Sequence, residues 1–107
     1  MSTELSFVQY VAEQARLGRR LTWKKMFGEY ALYIDGKVVA FACDDSLLMK
    51  PADATRALVA DLPKRPPYTG AKLHPVADEL LDDPERLQEL LLATWAAVPA
   101  GKARKKR

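Results

Sequence analysis

The chain has little of what covalent or metal chemistry needs. Its 107 residues include one cysteine, Cys43, and one histidine, His74. One cysteine makes no intrachain disulfide, and a lone Cys and His fall short of the set that zinc takes. No metal and no cofactor is therefore expected. The chain also lacks any run of about 18 consecutive apolar residues, so no membrane span is expected. Its first residues, MSTELSFVQYVAEQ, have no basic region followed by an apolar run, so no signal peptide is expected. A cytoplasmic location is expected, in line with the lone thiol. Gly18, Gly28 and Gly36 do not fall at the spacing of a phosphate-binding loop.

What is present suits an ordinary globular domain: 49% hydrophobic and 29% charged residues. A chain of this length buries a core without staples. The net charge of +3 is unevenly placed. Lys102, Arg104, Lys105, Lys106 and Arg107 supply five of the 17 basic residues, so the remainder is slightly acidic. The expected organisation is one domain over residues 1–100 and a basic, disordered tail over 101–107.

The pattern predicts an α+β fold. Leu5, Phe7, Val8, Val11, Ala12 and Ala15 recur at helical spacing, so a helix is expected from about Glu4 to Leu17. Ser2 or Thr3 would cap it and Gly18 would stop it. Tyr30–Ile34 and Lys37–Cys43 are rich in aromatic and β-branched residues. Asp35-Gly36 between them predicts a type I′ hairpin turn. Asp44-Asp45 turns the chain into a third strand, Ser46–Lys50, and Thr22–Phe27 is either a further strand or an irregular entry. A second helix is expected over Ala52–Leu62, with Ala54, Leu58 and Leu62 inward. PKRPPYTGAK, residues 63–72, reads as an irregular loop. Leu73–Val76 reads as a short edge strand, because Pro75 cannot donate to a ladder. Asp83-Pro84 opens a last helix with Leu87, Leu90, Leu91, Thr94, Trp95 and Val98 as its buried stripe, closed by Pro99 and Gly101. The expected order is α-β-β-β-α-β(β)-α. It gives two layers, an antiparallel sheet of a three-stranded meander plus one or two short strands, with three main helices.

Two blocks carry a family likeness. MFGEYALYIDGKVVAFACDDSLLMKP, residues 26–51, and PPYTGAK, residues 66–72, resemble the two signature blocks of the TfoX/Sxy N-terminal domain family, in the same order. The Leu-rich last helix and basic tail agree. Glu29 and Ala31 stand where the family often has glycine, and Leu73-His74-Pro75 replaces a more aromatic continuation. The resemblance implies a two-layer fold similar to that of secretion chaperones. It also implies a non-enzymatic regulatory role. The family's namesakes are bacterial competence regulators, thought to act with the cyclic-AMP receptor protein at promoters, and they carry a further C-terminal domain. A stand-alone N-terminal domain is the expectation here.

Candidate sites follow from the residues themselves. Met26, Phe27, Gly28, Glu29, Tyr30, Tyr33, Tyr68 and Lys72 form a candidate ligand or partner surface. The competing reading is packing, in which Phe27, Leu32 and Ile34 face the core. Gly28 would then permit a bulge or a close backbone approach. Glu29 is the residue of this block that packing does not explain. Asp44, Asp45 and Lys50 make a poor acid–base set, since paired aspartates at a turn bond their own backbone. Cys43 reads as a small buried hydrophobe rather than a nucleophile, and a Cys43–His74 pair is a weak alternative.

RLGRRLTWKK, residues 16–25, carries five positive charges. Arg16, Arg19, Arg20, Lys24 and Lys25, with Trp23 to stack on a base, are candidate nucleic-acid contacts. The tail cations Lys102, Arg104, Lys105, Lys106 and Arg107 would join them. Against this stands DELLDDPE, residues 78–85, which would repel DNA and could meet a basic partner or a second copy. The expectation is a regulatory or adaptor domain that contacts a protein, with a homodimer as one form. Weak sequence-independent nucleic-acid binding is the alternative.

Overall fold

The computed structural model describes residues 3–26 and 28–98. The expected contributions of Ser2, Phe27, Pro99, Gly101 and the basic tail lie outside them. The described residues form α1 (Leu5–Ala15), β1 (Leu21–Met26), β2 (Glu29–Ile34), β3 (Lys37–Cys43), β4 (Ser46–Met49), β5 (Lys64–Arg65), β6 (His74–Pro75) and α2 (Pro84–Ala97). Short 3-10 segments cover Gly18–Arg20, Asp53–Thr55 and Asp78–Asp82.

The α+β class stands, with two corrections. The meander has four antiparallel strands in the order β1-β2-β3-β4, so Leu21–Met26 is a full edge strand. The third main helix is absent among the described residues. Residues 52–62 are instead held mostly by i→i+3 bonds: Thr55 N to Ala52 O, Arg56 N to Asp53 O and Leu62 N to Val59 O. Pro51 and Pro63 confine this segment to a length at which an isolated α-helix is marginal. Packing then selects a tighter winding. It buries Thr55, Val59 and Leu62, whereas Ala54 and Leu58 are exposed.

Local chemistry explains the rest. Asp35 and Gly36 both have positive φ, 49° and 83°, as a type I′ turn requires. Asp44 and Asp45 repeat that geometry between β3 and β4. Gly28 also has positive φ, 82°, in the connection from β1 to β2. The expected bulge occurs elsewhere, at Leu32/Tyr33 where β2 meets β3. Helix α1 stops at Arg16 in the left-handed region, φ 57°, with no side-chain cap at its start. Leu5 is off its buried stripe, at 44% exposed. Helix α2 begins as expected: the Asp83 carboxylate accepts from Arg86 N, and Pro84 occupies the first turn.

The strand register sorts side chains between two faces. Leu21↔Ile34 and Trp23↔Leu32, with Ala40↔Met49, place Leu21, Trp23, Leu32, Ile34, Ala40 and Met49 on the inner face. There they join Val8, Val11 and Ala15 of α1 and Leu87, Leu90 and Leu91 of α2 in one core. The outer face carries Ala31, Phe41, Cys43 and Leu48, and its cover is different. Residues 63–76 fold back as the β5–β6 ladder, in which Lys64 faces Pro75 and Arg65 faces His74. A bridge from Leu48 to Val76 and a bond from Ala77 N to Leu47 O tie this excursion to β4. So the expected edge strand is present as His74–Pro75, whereas the loop expected to be wholly irregular supplies its partner, Lys64–Arg65.

Candidate functional site

The excursion covers only part of the outer face and leaves a groove of about 850 Å³. Met26 and Glu29 reach it from the first hairpin, Phe41 and Cys43 from β3, and Lys50 from the end of β4. Pro67, Tyr68, Ala71, Lys72 and His74 line it from the excursion, and Tyr30 closes one side while also packing on the core. Five of the candidate surface residues therefore meet here: Met26, Glu29, Tyr30, Tyr68 and Lys72. Gly28 is not a lining residue; its carbonyl accepts from Thr3 N. Tyr33 lies half-buried further along β2, outside the groove.

Glu29 has two partners in its own chain. Its carboxylate accepts from the Thr3 hydroxyl and from Asp44 N. The Thr3 hydroxyl oxygen in turn accepts from Asp45 N and lies 3.1 Å from Ala42 O, and Asp45 Oδ1 accepts from Glu4 N. The acid that packing left unexplained thus joins the start of the chain to the β3–β4 turn. Thr3, expected to cap α1, belongs to this network.

The groove's nucleophile candidates are muted. Burial, then the charges of Glu29 and Asp44, push the Cys43 thiol up to about 11, so it stays protonated at neutral pH. Burial holds His74 below its ordinary 6.5. Its Nδ1–H donates to Lys72 O at 2.9 Å, which leaves Nε2 as the acceptor, and its ring leans on Phe41 at 5.8 Å. Asp44, Asp45 and Lys50 do not assemble: the aspartates sit in the turn and Lys50 in the groove.

The basic stretch is dispersed. Arg20 pairs with Asp35 at 2.9 Å and lies 5.2 Å over the Trp95 ring. Trp23 is half-buried against the core rather than open for stacking. Lys24 and Lys25 are exposed but alternate to opposite faces of β1, and Arg16 and Arg19 are exposed at the end of α1 and in the turn after it. In the acidic stretch, Asp78 accepts from Ser46 Oγ at 2.8 Å and Leu47 N at 2.7 Å, so one of its acids holds β4.

Sequence reading missed Phe41, Pro67 and Ala71 as groove residues, and took Lys50, Cys43 and His74 only as catalytic candidates. Two signals were available. Phe41 and Cys43 share a face by strand alternation, and Pro67 and Ala71 belong to the second signature block. Among the described residues no helix is long and apolar enough to cross a membrane.

Comparison with known proteins matches residues 13–98 to the TfoX N-terminal domain. A relative from Spirochaeta aurantia, described as an uncharacterized 12.7 kDa protein in the trpE 5′ region, is 46% identical over 105 residues, covering 98% of this chain and 91% of that protein. No solved structure matches.

Proposed function

The chain belongs to the TfoX N-terminal domain family, and on that premise we propose that it is a non-catalytic regulatory or adaptor domain. It works by holding a protein partner in the outer-face groove. The observation that carries this reading is the convergence of the two signature blocks. Met26, Glu29 and Tyr30 of the first block are far in the chain from Pro67, Tyr68, Ala71 and Lys72 of the second, yet all line one groove. Packing alone gives no reason for Tyr68 to stand 71% exposed at its mouth. The raised thiol and the self-satisfied Glu29 support a site that binds rather than reacts. Regulation of transcription or competence through such a contact is the role that the family suggests.

The test is affinity capture from host lysate, with and without nuclease, using the full chain, a chain ending at residue 101, and Tyr68→Ala. A discrete protein retained after nuclease by the first two and lost by Tyr68→Ala supports the reading. Partners that vanish with nuclease or with the tail would sink it in favour of nucleic-acid binding.

A further inference from the structure

Resting on that reading, the groove's chemistry also names its occupant. Lys50 and Lys72 both line it, and neither has an ion pair or side-chain hydrogen bond among the described residues. The other charged groups nearby are engaged. Glu29 accepts from Thr3 and Asp44, and Arg65 donates to Cys43 O at 3.4 Å. His74 is held toward its neutral form and adds no third charge at neutral pH. Two cations without ion-pair partners among the described residues therefore stand against one carboxylate, Glu29, in a groove whose apolar lining includes Met26, Phe41, Pro67 and Tyr68. Water beside that surface is released by an apolar side chain, and the lysines call for an anion. The volume of about 850 Å³ falls in the range of roughly 300–1,000 Å³ that encloses ligands larger than one side chain.

We propose that the groove binds an extended segment of a protein partner in which an aromatic or large aliphatic residue neighbours an acidic one. The apolar side chain lies between Tyr68 and Phe41, and the carboxylate meets Lys50 and Lys72.

The experiment selects a randomised hexapeptide display library on the full chain. It is expected to enrich sequences with an aromatic or large aliphatic residue within two positions of Asp or Glu. A synthetic peptide of the enriched sequence should shift the amide resonances of groove residues. It should bind roughly tenfold or more weakly to the double variant Lys50→Gln/Lys72→Gln, and likewise when its acids are replaced by amides. Thermal melts of the variant check that it is folded. Enrichment of basic or uncharged sequences, or affinity unchanged in the double variant, overturns the assignment. N-acetylphenylalanine binding as tightly as the peptide overturns it too, and makes the groove a site for small carboxylates. If the library enriches nothing while Tyr68→Ala still loses a lysate partner, this occupant is wrong and the adaptor reading stands. If neither experiment depends on the groove, both fall.

Discussion

The Glu29 carboxylate accepts a hydrogen bond from the Thr3 hydroxyl, joining residues 26 positions apart. Thr3 is almost fully buried, and the same carboxylate takes the Asp44 amide. Glu29→Ala leaves the Thr3 hydroxyl and that amide without this partner. It should lower stability by about 2 kcal/mol, read from urea unfolding. Glu29→Gln keeps an acceptor and should lose less. Equal losses would show that charge, not the acceptor, matters at this position.

Lys37 closes the other end of the molecule. Its Nζ donates to Trp95 O at 2.7 Å and to Val98 O at 2.8 Å, and lies 5.2 Å from the Trp95 ring. A cation at the carboxyl end of a helix satisfies orphan carbonyls and complements the helix dipole. Lys37→Met should cost about 1 kcal/mol, with exchange protection lost first in the last turn of α2. Loss confined to the first hairpin would contradict this role.

Thr94 is fully buried in α2, and its hydroxyl has no hydrogen-bond partner among the described residues. Valine has the same shape without the polar atom. Thr94→Val should raise stability by about 1 kcal/mol, measured by thermal and urea unfolding. A destabilised variant would mean that the hydroxyl has found a partner in solution.

Cys43 should be slow toward a thiol reagent such as a disulfide dye. Its thiol sits at about 11 against an ordinary 9.0. At pH 8 the native protein should react roughly 100-fold slower than the chain in denaturant. Equal rates would restore Cys43 as a candidate nucleophile.

His74 predicts an acid-side loss of stability. Its folded titration lies below 6.5, so the unfolded chain binds the proton first as pH falls. The stabilisation is whole above the unfolded value and drains as pH drops through the folded one. From about pH 7 to about pH 5, the melting temperature of the wild type should fall more steeply than that of His74→Gln. Parallel slopes would remove His74 as the source.

The legible parts of the fold were those set by neighbours in the chain. Asp35-Gly36 announces its turn because both residues tolerate positive φ, and Asp83-Pro84 announces a helix start because cap and first turn are adjacent. Ala52–Leu62 misled because its apolar spacing fits more than one winding. The choice fell to packing against α2 and the 3-10 bonding that suits it. The site was half legible. Both signature blocks stood out by composition, but nothing local brings Tyr68 to Met26. The β5–β6 ladder and the Leu48–Val76 bridge do that.

The sequence by itself determined the α+β class, the hairpin turns and the family, because alternation, positive-φ residues and caps act over a few bonds. Tertiary structure alone decided which charges remain available. Arg20 is drawn to Asp35, Lys37 to the end of α2 and Glu29 to Thr3, while Lys50 and Lys72 are left in the groove without such partners among the described residues. Charge pairing depends on distance through space, and the fold sets those distances.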